Sequence, residues 1–295
     1  MRTVGVLGCG VMGAGIAQLA AASGFATVVW EKDEALLAAG LAKVRTAFER
    51  AAKKGKLTPE AKDGILARLT GSTELSALKD TDFVIEAVVE DLEVKRALFA
   101  ALDAACAPKT VFATNTSSLK VGDLAEAVAR KDRFCGLHFF NPAPLTKLVE
   151  VIRAAETSDA THAAALGFGR ALGKTAITAK DNSGFVVNYI LVGYLMSAAR
   201  AFEKGFATVE DIDLAMTKGC AHPVGPLALI DMIGVDTVVK IADIMKAEYR
   251  DAQYDCPTFA RKMAQMGWLG TKAGKGFYDY GVTPPVPNPG VAALL

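Results

Sequence analysis

The chain has 295 residues, 52% hydrophobic and 22% charged, which is enough apolar material for one large or two ordinary packed domains and excludes a disordered chain. Its 33 Lys and Arg against 32 Asp and Glu leave a formal charge of +1, so no long-range field exists to collect nucleic acid or an anionic membrane surface. The five cysteines are scattered and form no C-x-x-C pair, which argues against a disulfide framework or a metal site and for a reducing, cytoplasmic setting.

From its first residues the chain alternates short β-rich runs with longer helical ones, the pattern of βαβ units feeding a parallel sheet. Strands are expected at Thr3 to Leu7, Thr27 to Trp30, Phe83 to Ala87, Val111 to Thr114, Phe134 to Leu137, Val149 to Ile152 and Ala176 to Thr178. Several are continuously apolar, as strands covered by helices on both faces must be. Residues 34–69 read as a lysine-rich helical hairpin inserted early in the sheet, with Thr58 as a cap and Pro59 at the first helical position. Beyond Asp181 no strand is expected. Apolar spacing from Phe185 to Met266 is helical, broken at Gly205, Gly219 and around Pro223 to Pro226. Pro284 to Gly290 is too rich in proline for a helix or central strand and reads as an extended tail without function. No apolar run approaches the roughly 20 residues of a membrane span, so no membrane segment is expected.

Gly8, Gly10 and Gly13 place G-x-G-x-x-G directly after the first strand and at the mouth of a helix. Side chains at the first two positions would block the turn or the close approach of a pyrophosphate, and the third glycine lets helix and strand pack together. With Val11 and Met12 the loop offers helix N-terminal N–H groups to the anion. Eighteen residues after Gly13, Glu31 ends the second strand, where a carboxylate accepts ribose hydroxyls of NAD and repels the 2′-phosphate of NADP. The expectation is a Rossmann-like dinucleotide-binding domain over residues 1–182, an all-α domain over 183–281 and a tail over 282–295.

Only three histidines are available for proton transfer. His162 and His222 read as surface or capping residues. His138 stands at the carboxyl end of a strand, where ligands of open α/β sheets gather. The next strand carries Glu150, and the intervening Asn141-Pro142 suits a turn that returns this carboxylate to the imidazole. A Glu in an apolar strand needs a partner, and one beside His138 would fix its tautomer and stabilise its protonated form. A histidine of this kind suits general-base catalysis of alcohol oxidation. Ser117, in the polar cluster after the strand ending at Thr114, could donate to the substrate oxygen, whereas Ser118 reads as a helix cap.

Seven segments in order, GCGVMGAGIA, VIEAVVEDLEVK, NTSSL, GLHFFNPAPLTKLVEV, GFVVNYIL, HPVGPLALIDMIG and GWLGTKAGKGFYDY, span nearly the whole chain. In them the sequence resembles the 3-hydroxyacyl-CoA dehydrogenase family, most closely its short-chain bacterial members. The resemblance implies an NAD-dependent oxidoreductase acting on a short 3-hydroxyacyl-CoA thioester. It makes His138 the base and Glu150 its partner, with Ser117 and Asn188 as contacts to substrate oxygen and nicotinamide. It adds Glu90 and Lys95 to Glu31 as cofactor contacts, a pair that would otherwise read as exposed residues at a helix start, and Asn115, Ser117 and Asn141 complete that set. Lys54 corresponds to the family's lysine near the CoA phosphates, and the helical domain is expected to make a homodimer. Three positions depart from the family pattern: Ser183 in place of proline, Tyr189 in place of arginine, and Glu31 in place of the commoner aspartate. Two other readings compete. One is a sugar-acid dehydrogenase resembling the gulonate enzymes, and the other is a non-catalytic, crystallin-like structural protein.

Overall fold

In the computed structural model, which describes residues 1–295, Met1–Phe185 and Val186–Leu295 form two compact units. The first is built on strands β1 (Thr3–Leu7), β2 (Ala26–Trp30), β3 (Leu69–Ser72), β4 (Phe83–Glu86), β5 (Val111–Thr114), β6 (Phe134–Phe139), β7 (Leu148–Arg153) and β8 (Thr175–Lys180). They form one sheet in the order β3-β2-β1-β4-β5-β6-β7-β8. Helices α1 (Val11–Ala22), α2 (Glu34–Lys53), α3 (Pro59–Leu66), α4 (Leu92–Ala105), α5 (Val121–Ala125) and α6 (Asp159–Ala171) lie between the strands. Apolar residues pack on both sheet faces, Val4, Val6, Ile85 and Leu137 in one cluster and Leu7, Val84, Phe112 and Phe134 in another, which is why these strands carry no polar alternation.

Two differences from the sequence expectation have local causes. β3 was not expected, because Leu-Thr-Gly-Ser is a short edge strand with one buried residue and little apolar signal. The sheet is also not wholly parallel: β7 pairs antiparallel with β6, and β8 follows β7 in parallel. The connection over residues 140–147 is too short for a parallel crossover, which needs a dozen or more residues, so the chain turns back on itself. This reversal sets His138 directly opposite Glu150 in the ladder.

The hairpin of α2 and α3 forms with the expected cap: Thr58 Oγ1 accepts the Ala61 N–H at 3.2 Å, and Pro59 occupies the first turn. Asp33 caps α2 in the same way, accepting the Leu36 N–H at 2.9 Å.

The second unit contains α7 (Val187–Glu203), α8 (Val209–Leu214), α9 (Pro226–Ile233), α10 (Val235–Tyr249) and α11 (Thr258–Gln265). α7 buries Val192, Leu195, Met196, Ala199 and Phe202, a stripe at helical spacing; each large side chain so buried contributes up to about 1.5–3 kcal/mol. The helix stops at Gly205 (φ +68°), whose left-handed backbone lets the Phe206 N–H reach the Ala201 carbonyl at 3.0 Å.

The proline-rich end is not a free tail. Strand β10 (Val286–Pro287) pairs antiparallel with β9 (Tyr278–Asp279), so this unit is helical with one small ribbon rather than purely α. Asn288 is buried, donating from Nδ2 to the Gly276 carbonyl at 2.8 Å, and Val291 is fully buried among the helices. Proline is tolerated because a two-stranded ribbon does not need every N–H, and its fixed φ suits extended chain. Two buried carboxylates hold this region. Asp231 accepts the Phe277 and Tyr278 N–H groups, each at 2.9 Å, and the Tyr280 hydroxyl at 3.1 Å. Asp213 accepts the first-turn N–H groups of Leu227 and Ala228 and the Tyr278 hydroxyl.

Candidate active site

The β1–α1 turn has the shape a dinucleotide requires. Gly8 adopts φ +87°, and a Cβ there would lie 2.7 Å from the Ala87 carbonyl oxygen. A Cβ on Gly13 would stand 1.9 Å from the Gly8 carbonyl oxygen, so helix and strand meet only because that position is glycine. At Gly10 the direction of the missing Cβ is open space. No side chain caps α1, which leaves the first-turn N–H groups, those of Val11, Met12 and Gly13, without a side-chain acceptor at the positive end of a 12-residue helix. Glu31 Oε2 accepts the Cys9 N–H at 2.9 Å and Oε1 accepts the Lys32 N–H at 2.9 Å, which fixes the carboxylate against the glycine loop. The Cys9 thiol is pushed up to about 11, by burial first and then by the charge of Glu31, so it is inert inside the loop. Open anion cradle, free N–H groups and a carboxylate held beside the glycine loop together fit a dinucleotide.

Three strands along, His138 and Glu150 meet. Nδ1 of His138 lies 2.7 Å from Glu150 Oε2, with the histidine 5% exposed and the glutamate fully buried. A carboxylate can only accept, so Nδ1 carries the proton and Nε2 is the basic nitrogen. The imidazole packs against two aromatic rings, Phe140 at 4.5 Å and Phe185 at 5.5 Å between centroids, both tilted to it. Phe185 is itself in the left-handed region (φ +50°) immediately after Gly184 (φ +79°), a backbone cost that a buried phenyl ring accepts at few places.

Between these two groups lies a polar network that the sequence reading placed only in part. Lys95 is not an exposed helix-start residue: it is 1% exposed, and Nζ contacts Glu86 Oε1 at 2.6 Å and Glu90 Oε2 at 3.1 Å. Glu90 Oε1 also accepts the hydroxyls of Thr116 and Ser118, the latter at 2.9 Å, and the Ser117 N–H at 3.3 Å. Burial pushes the Glu90 carboxyl up, but Lys95 and these hydrogen bonds outweigh it and hold the group below the ordinary carboxylate range. Ser118 therefore does not cap α5. Asp181 does, accepting the Val121 and Gly122 N–H groups at 2.7 Å each. Ser117 is left half-exposed at the mouth of the loop. Asn115 Oδ1 accepts the Phe139 N–H at 2.9 Å, tying the end of β5 to the strand that carries His138 and leaving its amide nitrogen as a donor.

Asn141 is exposed on the β6–β7 turn, one bond before a cis proline. Lys174 clamps this turn, its buried ammonium donating to the Ala143 carbonyl at 2.6 Å and to that of Thr146, with its pKa lowered by desolvation. Lys54 is the exposed C-cap of α2, within the cluster Lys53, Lys54 and Lys56. Asn188 lies in the first turn of α7, in the second unit. The remaining histidines, read from sequence as surface or capping residues, are half-buried and bonded to side-chain hydroxyls: His162 Nε2 with that of Thr178 and His222 Nδ1 with that of Tyr194, each at 3.0 Å. Sequence reasoning missed Glu86, Thr116, Phe140, Phe185, Lys174 and Asp181. Of these only Glu86, a carboxylate ending an apolar strand like Glu31, carried a signal that could have been read.

Comparison with known proteins settles the family. The 3-hydroxyacyl-CoA dehydrogenase NAD binding domain matches residues 3–182, and the C-terminal domain of the same family matches residues 184–280. The chain belongs to the 3-hydroxyacyl-CoA dehydrogenase family. It is 45% identical over 282 residues to a 3-hydroxybutyryl-CoA dehydrogenase of Mycobacterium tuberculosis, covering 95% of this chain and 99% of that one. It is 43% identical to the mitochondrial hydroxyacyl-coenzyme A dehydrogenase of Homo sapiens, over 95% of this chain and 91% of the human one. Among solved structures, the (S)-3-hydroxybutyryl-CoA dehydrogenase of Ralstonia eutropha superposes with a TM-score of 0.91 at 43% identity, covering 95% of this chain and 99% of that one. As a member of this family the protein is an NAD-dependent oxidoreductase, and the dinucleotide cradle of β1 and α1 is the family's NAD-binding domain. No helix is long and apolar enough to cross a membrane.

Proposed function

We propose that the protein interconverts (S)-3-hydroxybutyryl-CoA and acetoacetyl-CoA, with His138 as the proton-transferring residue. The observation that carries this reading is the 2.7 Å contact of His138 Nδ1 with the buried Glu150, at the carboxyl edge of a dinucleotide-binding sheet. When bound, NAD supplies the hydride acceptor for C3 of the thioester. His138 Nε2 takes the proton of the C3 hydroxyl, and Glu150 holds the ring in the required tautomer and stabilises the imidazolium that forms. Phe140 and Phe185 pack against the ring and restrict its rotation.

Ser117 donates its hydroxyl to the substrate oxygen, and Asn188 supplies a second polar contact on the substrate side. Glu31 receives the adenosine ribose, while Gly8, Gly10, Val11, Met12 and Gly13 receive the pyrophosphate. Glu90, Lys95, Asn115 and Asn141 line the nicotinamide side, and Lys54 binds CoA phosphate. The short acyl group follows the substrate named for the Mycobacterium and Ralstonia relatives. The functional particle is a homodimer joined through the helical unit, a reading supported by the exposed Ile190, Phe206 and Met232 on that unit. Its mass in solution by light scattering tests this.

The test of function is NADH consumption with acetoacetyl-CoA, with NAD reduction by gulonate as control. Turnover of the thioester and none of gulonate supports the proposal. The reverse result would move the protein to the sugar-acid branch, and inactivity with both would favour a structural role.

A further inference from the structure

Glu86 ends β4 with its carboxylate fully buried, and three donors converge on it: Lys95 Nζ at 2.6 Å, the Val88 N–H at 2.7 Å and Thr114 Oγ1 at 2.7 Å. The Thr114 hydroxyl meanwhile accepts the Thr116 N–H at 3.2 Å, so its proton points to Glu86, which accepts all three bonds. Lys95 bridges onward to Glu90, and Glu90 accepts from the loop that carries Ser117. Two carboxylates thus share one ammonium, which leaves the cluster a formal charge of −1. One carboxylate would have been enough to neutralise Lys95. With Glu86 and Lys95 neutralising each other in the interior, the surplus charge sits on Glu90, whose side chain is 31% exposed at the outer end of the cluster.

The place of this charge is specific. Glu86 pairs with Leu7 in the ladder, and the Cβ direction of Gly8 runs into the Ala87 carbonyl, so the cluster adjoins the glycine loop. Glu31 stands on the opposite side of that loop, at the end of β2. A dinucleotide lies along the carboxyl edge with its pyrophosphate at the β1–α1 turn. With Glu31 taking the adenosine ribose, the nicotinamide half falls on the β4–β5 side, over the cluster. A nicotinamide ring is cationic when oxidised and neutral when reduced.

We infer that the Glu86–Lys95–Glu90 cluster biases the site toward the oxidised dinucleotide through its unbalanced negative charge. Glu86 is its buried positioning residue, holding Lys95 and thereby the orientation of Glu90 and the Thr116–Ser118 loop. The inference rests on the NAD-dependent reading given above and assigns a role to a residue that does not itself reach the cofactor.

The experiment measures dissociation constants of the full-length protein for NAD+ and for NADH separately, in wild type and Glu86→Gln. The amide keeps the shape, with its oxygen accepting from Lys95 and Val88 and its nitrogen donating to the Thr114 hydroxyl. A unit charge acting across about 10 Å of partly screened protein is worth about 5- to 15-fold in binding. The NAD+ constant should therefore rise by about that factor while the NADH constant moves less than about 2-fold. Glu90→Gln removes the same charge from the exposed end of the cluster, at little risk to folding, and must shift the ratio in the same direction. It carries the test alone if Glu86→Gln fails to fold. Equal changes for both dinucleotides, or an unchanged ratio, would overturn the inference and leave NAD dependence standing. Failure of the wild type to bind either dinucleotide would overturn the NAD reading itself, and the inference with it.

Discussion

Replacing Glu150 by glutamine removes a charge from the proposed active site while keeping its shape. The amide oxygen can still accept from His138 Nδ1 across the observed 2.7 Å, so ring orientation and tautomer survive. What is lost is the field of a fully buried carboxylate on the imidazolium that forms as the substrate hydroxyl gives up its proton. Two unit charges about 4 Å apart interact by about 4 kcal/mol at the effective dielectric of a partly buried site. With the proton about half transferred in the transition state, about 2 kcal/mol reaches the barrier, and full transfer sets the upper limit. These values correspond to losses in kcat of about 30-fold and about 1000-fold. The measurement is NAD reduction with saturating (S)-3-hydroxybutyryl-CoA, beside NADH affinity by fluorescence titration. A fall of less than about 3-fold, or an equal loss of NADH affinity, would refute the assignment of Glu150 to the imidazole.

Other expectations follow from the same geometry. Glu31→Gln should raise relative activity with NADPH over NADH by about 10-fold or more, because a 2′-phosphate no longer meets a carboxylate; an unchanged ratio of kcat/KM values would contradict it. Gly13→Ala places a methyl group 1.9 Å from the Gly8 carbonyl oxygen, so NADH binding should be lost or thermal stability should drop by several degrees; retention of both would be incompatible with this strand–helix approach. Burial raises the Asp231 carboxyl from 3.8 to about 6 despite hydrogen bonds from Phe277, Tyr278 and Tyr280. A group whose folded pKa is raised contributes stability that is fully present below about 3.8 and lost as pH rises through about 6, a contribution of about 3 kcal/mol. The Tm of the wild type relative to Asp231→Asn should accordingly rise as pH falls from 7 to 5, and a pH-independent difference would exclude this titration.

What could be read from sequence follows the range of the forces involved. The glycine loop and Glu31 were legible because a phosphate dictates backbone conformation locally, and Gly8, Gly10 and Gly13 answer that demand within six residues. His138 and Glu150 were legible through a short turn between apolar strands, although the antiparallel reversal that joins them was not drawn from the length of that turn. β3 and the Pro284 to Gly290 segment were misread because their structure comes from partners elsewhere in the chain. An edge strand borrows its ladder from β2, and a proline-rich strand borrows its from Tyr278 and Asp279. Apart from the family resemblance, which makes Lys95 a cofactor contact, spacing alone reads it as exposed, because spacing cannot reveal that Glu86, nine positions earlier, turns a solvated lysine into a buried one. Phe140 and Phe185 pack on His138, and Lys174 holds the turn after its strand, through contacts that no local pattern encodes.

The most direct measurement compares wild type and His138→Ala in NADH-dependent reduction of acetoacetyl-CoA, with NADH affinity recorded on both proteins. Proton transfer through Nε2 requires that the variant lose at least about 100-fold in kcat while binding NADH almost as the wild type does. Turnover within a few-fold of the wild type would mean that the proton travels by another route and that the 2.7 Å pair with Glu150 is only a structural contact.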